Sequence, residues 1–286
     1  MLDELQHFLL VAEHGTFTEA ARRAHLTQPA LTASIHRLED FFGARLFHRG
    51  RGGAELTAAG HALMPRAQAA LAAVNDGKRA VAEVEGLQAG EVRLGAGATA
   101  CTYLLPPVLA RFRAAHPTLR FLLRESTTDE LLNALHAGAL DLVVAAHPDG
   151  EPWMDDELIL VGAPGVPLKG SPFVAFARGA TTRALLDQHF PDADIVMELG
   201  SIAAIKGNVR AGIGVALVSR HAVQTDLKLG QLRELPHPKT PILRRLSLVH
   251  RGVDRLPPAA AALRKLLLQS PPQPLRTAAP SRRRRR

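Results

Sequence analysis

A single cysteine, Cys101, stands among 286 residues. That excludes an internal disulfide framework and any cysteine-based metal cluster, and a cytoplasmic location is expected. No run of about 20 apolar residues occurs, so no membrane-spanning helix and no membrane partner are expected. The start, Met1-Leu2-Asp3-Glu4, lacks the basic residues and apolar core of a signal peptide. The 13 histidines show no paired metal-ligand spacing, so neither a metal nor a cofactor is expected. Positive charge is scarcer than the total suggests. The formal net charge is +8, but five of the charges are Arg282 to Arg286, and residues 1–60 carry six Arg or Lys against seven Asp or Glu. Net charge is therefore no argument for nucleic-acid binding, and any such case rests on local placement.

What is present is globular. Hydrophobic residues make up 47% and charged residues 22%, enough for two or three domains with sizeable cores. Leu2, Leu5, Phe8, Leu9 and Ala12 recur at helical spacing, and Gly15 ends that helix. The stretch Thr16 to Glu39 then reads as two short helices joined by a tight turn. Thr16 and Glu19 have capping-box spacing. Ala20, Ala21 and Ala24 give the first helix a thin face, and Leu26 is placed to plug the turn. Thr27 or Gln28 caps the second helix, and Pro29 suits its first turn. Leu31, Ile35 and Leu38 face inward. Gln28, Pro29, Ala30, Thr32, Ala33, His36 and Arg37 are left to the outside, as suits a helix end entering a major groove. Residues 45–57 read as a hairpin whose Gly-rich tip carries Arg49 and Arg51, placed to lie along a phosphate backbone. Arg37, Arg45, Arg49 and Arg51 are the local basic set.

Thr57 begins an alanine-rich helix to about Leu87. Leu63, Ala67, Ala70, Val74, Gly77, Val81 and Val84 alternate at four and three residues, the seam of a two-stranded coiled coil. Gln88-Ala89-Gly90 is a short linker. Strands then alternate with helices from Glu91 onward, predicting parallel sheet with crossover connections. The pattern restarts after the Pro/Gly-rich residues 162–167, which gives two α/β lobes and a cleft. The tail from Ser270 to Arg286 is Pro-rich, basic and expected to be disordered.

Ligands in open α/β sheets sit beyond the carboxyl ends of strands. Thr99, Cys101 and Thr102 follow the first strand, Ser126 and Thr128 the second, and Ser201 precedes the helix beginning at Ile202. Helix starts favour small anions, although each hydroxyl also suits a plain helix cap. Thr182 opens a helix of the second lobe, and His147 is placed at the cleft rim. Cys101, at a helix start, is also a candidate redox thiol. Gly95-Ala-Gly97-Ala-Thr-Ala100 matches a dinucleotide-binding G-x-G-x-x-A. However, Pro106-Pro107 falls where the pyrophosphate helix should run, and no acidic residue ends the second strand at the required distance.

The order and spacing of several segments resemble the LysR-type transcriptional regulators. These are Phe8 to Ala21, Leu26 to Thr32, Leu38-Glu39-Asp40, Gly43 to Arg49, and Leu56 to Gly60, and the match continues to about residue 268. Ala33 and Ser34 depart from the pattern, being shorter than the polar residues of many members. The resemblance implies an all-α winged helix-turn-helix over 1–60 and a linker and dimerisation helix over 61–90. It further implies a two-lobed α/β effector domain of the periplasmic-binding-protein type over 91–269. Lobe I is expected at about 91–162 and 241–269, lobe II at about 163–240. The implied function is binding of double-stranded promoter DNA as a homodimer, within a homotetramer, under control of a small, anionic effector, with no enzymatic activity. The expected DNA contacts are Thr27, Gln28, Pro29, Thr32, Ala33, His36, Arg37, Arg49 and Arg51. The expected effector contacts are Thr99, Cys101, Thr102, Ser126, Thr128, His147, Thr182, Ser201 and Ile202. The rival readings are a two-lobed solute-binding module with an accessory helical domain, and a dinucleotide-dependent enzyme.

Overall fold

The computed structural model describes residues 1–50, 53–84 and 90–269. Arg51, residues 85–89 (with Gln88 and Ala89 of the expected linker) and the basic tail lie outside the described residues, as do the side chains of Arg49 and Val84. The chain divides into two compact units at Gly90, with Asn133–Leu140 grouped with the first.

The first unit holds α1 (Leu2–His14), α2 (Phe17–Arg23), α3 (Gln28–Phe42), a hairpin of β1 (Phe47–Gly50) and β2 (Gly53–Leu56), and α4 (Ala58–Val84). Thr16 caps α2 by accepting from the Glu19 amide, and Thr27 caps α3 by accepting from Ala30. Phe8, Val11, Ala20, Leu31, Ile35 and Leu38 form the core. Phe47 packs on Phe8 at 5.4 Å between ring centres and so seats the hairpin on α1. The Ala54 amide donates to the Gly15 carbonyl at 2.7 Å. This approach requires glycine next door. Gly53 has φ +123°, and a Cβ there would lie 2.5 Å from the same carbonyl.

Two local expectations change. Leu26 is exposed rather than buried in the turn. Much of the predicted seam is already occupied, since Leu63, Ala67 and Ala70 of α4 pack on the core of their own unit. Among the described residues further along the helix, Val81 is a large apolar side chain that remains open, 60% exposed.

The second unit holds β3 (Glu91–Ala96), a π-helical turn (Ala100–Leu104), α5 (Leu105–Ala115), β4 (Arg120–Glu125), the start of α6 (Thr128–His136, grouped with the first unit from Asn133 on), β5 (Leu142–Ala145) and β6 (Glu151–Gly162). There follow β7 (Phe173–Phe176), α7 (Thr181–His189), β8 (Ile195–Leu199), α8 (Ile202–Arg210), β9 (Ala216–Ser219), α9 (Arg220–Lys228), β10 (Arg233–Glu234), β11 (Ile242–Val249) and α10 (Pro258–Gln269).

The sheets are not purely parallel as expected. Strands β4, β3 and β5 run parallel, but β11 pairs antiparallel with both β5 and β6, and β6 pairs antiparallel with β9 and β10. The physical reason lies in β6, which is 12 residues long and reaches into both lobes. Its early residues Trp153 and Met154 belong to one core, with β3, α5 and α10, while Ile159 and Val161 belong to another, with α8 and α9. Strand β11 returns the other way, with Ile242 in the far lobe and Leu246 and Leu248 in the near one. Two long antiparallel strands thus carry the chain across between the lobes.

Candidate functional site

The first candidate site is the outer face of α3. Leu31, Ser34, Ile35, Leu38 and Glu39 point inward. Gln28, Pro29, Ala33 and Arg37 are exposed, Thr27 is exposed at the cap, and Thr32 and His36 are half-buried on the same outward side. The structure therefore gathers seven of the expected DNA contacts on the outward face of α3 and its cap, and Arg49 lies on β1.

Ser34 does not belong to this face. Its hydroxyl lies 2.7 Å from His7 Nδ1, and burial lowers the His7 pKa, so the pair is a neutral internal contact. The departure at Ser34 therefore concerns packing under the helix.

The charges around α3 are also partly spoken for. Arg37 Nε donates to Glu4 at 3.1 Å. Arg45 Nη1 donates to Glu39 at 2.8 Å, and the other Glu39 oxygen accepts from the Leu46 amide at 2.8 Å. Burial alone would raise the Glu39 carboxyl. The Leu46 amide, Arg45 and the Phe47 amide outweigh it and hold the group below its ordinary range. Arg45 thus braces the entry to the hairpin as well as adding charge.

The second candidate site is a cavity of about 290 Å³ in the second unit. It opens beyond the carboxyl ends of β3, β4, β5, β7 and β8, where α6 and α7 begin. Thr99, Ser126, Thr128 and Thr182 line it, as do Thr127 and Thr181, Arg178 at its rim, and Arg244 and Leu246 of β11. Thr128 Oγ1 and Thr181 Oγ1 meet across the cleft at 3.3 Å. Ser126 is turned toward Glu130, to which its hydroxyl donates.

Cys101, Thr102, His147, Ser201 and Ile202 do not line the cavity. Ile202 is buried in the core under α8. Thr102 and Ser201 are exposed, and His147 accepts from the Asp149 amide in its own turn. Cys101 is buried and donates to the Ala96 carbonyl at 3.3 Å. Burial, then the Glu125 charge, push its thiol up to about 12. A buried thiol of that kind is inert. The native chain is expected to resist iodoacetamide and peroxide at pH 8 and to react fully in denaturant, as mass spectrometry would show. Native reactivity matching that of free thiol would restore the redox reading.

The sequence reading missed Arg244. It is 9% exposed and sits in the cavity wall. Strand period was the available signal. Ile242, Arg244 and Leu246 share one buried face, while the intervening Leu243 is 65% exposed. A charge on the apolar phase of a strand calls for a partner or a ligand.

A helix-turn-helix with a hairpin wing, one long helix, and a two-lobed α/β unit with a cleft define a transcriptional regulator with an effector-binding domain. The profile for the bacterial regulatory helix-turn-helix protein, lysR family, matches residues 2–61, and that for the LysR substrate binding domain matches residues 85–271. The chain belongs to the LysR family of transcriptional regulators, which are not enzymes. It is 32% identical over 289 residues to the HTH-type transcriptional regulator CfxR of Cupriavidus necator, covering 94% of this chain and 91% of the relative. The Vibrio fischeri DarR structure in complex with DNA matches with a TM-score of 0.58 at 20% identity, covering 94% of this chain and 99% of that one. The Synechocystis PCC6803 CcmR regulatory domain in complex with 2-PG matches with a TM-score of 0.57 at 23% identity, covering 63% of this chain and 97% of that one. Among the described residues no helix is long and apolar enough to cross a membrane.

Proposed function

We propose that this regulator binds promoter DNA as a dimer joined through α4, within a tetramer, and that a small anion in the inter-lobe cleft sets its response. The N-terminal end of α3 reads bases from Gln28, Thr32 and Ala33, with Pro29 and His36 beside them. Thr27, Arg37, Arg49 and Arg51 serve the backbone. The observation that carries the effector half is convergence on one cavity. The starts of α6 and α7 and the residues Thr99, Thr128, Thr182, Arg178 and Arg244 all line it. Free N–H groups and partial positive charge at helix starts suit an anion. The 2-PG of the CcmR complex is a small anion, which makes small phosphates and carboxylates the first class to try. An effector controls the regulator only if it binds one subunit arrangement more tightly than another, and the Thr128–Thr181 contact joins the two lobes at the place where the arrangement would change.

The test replaces Thr128 and Thr182 with Val. DNA affinity without effector should stay unchanged, while the shift produced by the effector should be lost. A full response from the double variant would move the effector out of this cleft.

A further inference from the structure

Arg244 is held by an incomplete set of partners. It lies directly opposite Asp156 in the antiparallel pairing of β11 with β6, where the two strands cross between the lobes. Nη2 donates to Asp156 Oδ2 at 2.5 Å and faces Thr99 Oγ1 at 3.5 Å, and Nη1 donates to Thr182 Oγ1 at 3.0 Å. Nε is buried and has no hydrogen-bond partner among the described residues. An arginine–carboxylate pair gains most when two parallel N–H groups meet both oxygens. Here the second oxygen, Asp156 Oδ1, accepts from Ser219 Oγ at 2.6 Å instead. Asp156 is fully buried, and the strand pairing fixes both backbones. Nε is closed off from the cavity, but Nη1 carries two N–H groups and gives one of them to Thr182, so a buried guanidinium in the cavity wall keeps one donor beyond its resident partners among the described residues.

We propose that Arg244 anchors the charged group of the effector, a carboxylate or phosphate oxygen accepting from the second Nη1–H, with Thr99 and Thr182 holding the guanidinium in place. The inference rests on the cleft being the effector site. Asp156 is the resident counter-charge. It keeps Arg244 in place, and it also lowers the cavity's attraction for anions, because the buried pair is neutral before the effector arrives. The rim adds Arg178 against Glu125, which also line the cavity. The balance favours a ligand with one anionic group and otherwise neutral, hydroxyl-bearing substance, which the threonines can meet. A second charge on the ligand would approach Asp156 or Glu125.

The test uses the full chain, calorimetry, and four probes: glycerate, methyl phosphate, inorganic phosphate and the neutral methyl ester of glycerate. The wild type is expected to bind at least one anion and not the ester. Binding of glycerate alone identifies a carboxylate source, and binding of the phosphates alone a phosphate source. Arg244→Lys keeps a charge beside Asp156 but loses the planar set of donors, and should weaken binding about tenfold or more. Asp156→Asn still accepts from Ser219 and should tighten binding several-fold, an effect that a merely structural role for the pair does not produce. Anion binding equal in the wild type and both variants would overturn the anchor and leave the cleft reading standing. No anion binding by the wild type would overturn both. Circular dichroism of each variant confirms that the fold is kept.

Discussion

Val81→Asp is expected to lower the mass of the chain in solution and to weaken binding to a promoter duplex by about 100-fold or more. The position is chosen on structure. The first turns of α4 bury Ala67 and Leu71 against the helix-turn-helix core, so substitutions there would unfold the unit before testing association. Val81 lies beyond that contact and is open on the helix surface. If α4 pairs with a second copy, an aspartate at Val81 places an unpaired carboxylate in the seam, opposite its own symmetry mate. Burying such a group without a partner is strongly unfavourable. Each monomer would then reach one half-site alone and lose the gain of simultaneous engagement. Light scattering and a binding isotherm measure the two effects. An unchanged mass would show that the subunits associate through another surface.

Replacing both Gln28 and Thr32 with Ala is expected to cost about 30-fold or more in affinity for the specific duplex, from about 1–3 kcal/mol for each of the two base contacts. Binding to a random duplex should be unaffected. Neither residue carries charge, so the salt dependence of binding, which counts phosphates neutralised, should keep its slope. Gln28 is exposed and Thr32 half-buried on α3, whose inner residues are untouched by the change, and the cap at Thr27 remains. Titrations of both duplexes at several salt concentrations separate the effects. Equal losses on specific and random DNA would move these residues from base reading to backbone contact.

The helix-turn-helix was legible because its signals are local. Capping threonines, a proline at a helix start, and apolar residues three and four apart are all visible within 24 residues. The departure from the family pattern at Ser34 has its reason in the helix period. Positions 31, 34, 35 and 38 form one inward stripe, and a serine there needs only an internal partner, which His7 supplies. The lobes were legible as alternating strands and helices, but strand direction was not. The antiparallel pairing of β6 and β11 joins segments about ninety residues apart, and no short-range pattern reports it. The same distance hid the Asp156–Arg244 pair, though each charge sits on the buried phase of its own strand. Cys101 and Ser201 were drawn toward the cleft by their place after a strand. Being near a strand end does not decide which way a side chain points, and the Cys101 thiol turns back to the Ala96 carbonyl.

The most direct test of the account is fluorescence anisotropy with the intergenic duplex upstream of the gene encoding this chain, titrated with and without a panel of small carboxylates and phosphates. The account predicts tight binding that exceeds binding to a random duplex, and a change in affinity or stoichiometry with one anion that Arg244→Lys abolishes. Binding no stronger than to random DNA at low salt, with every anion silent, would contradict it.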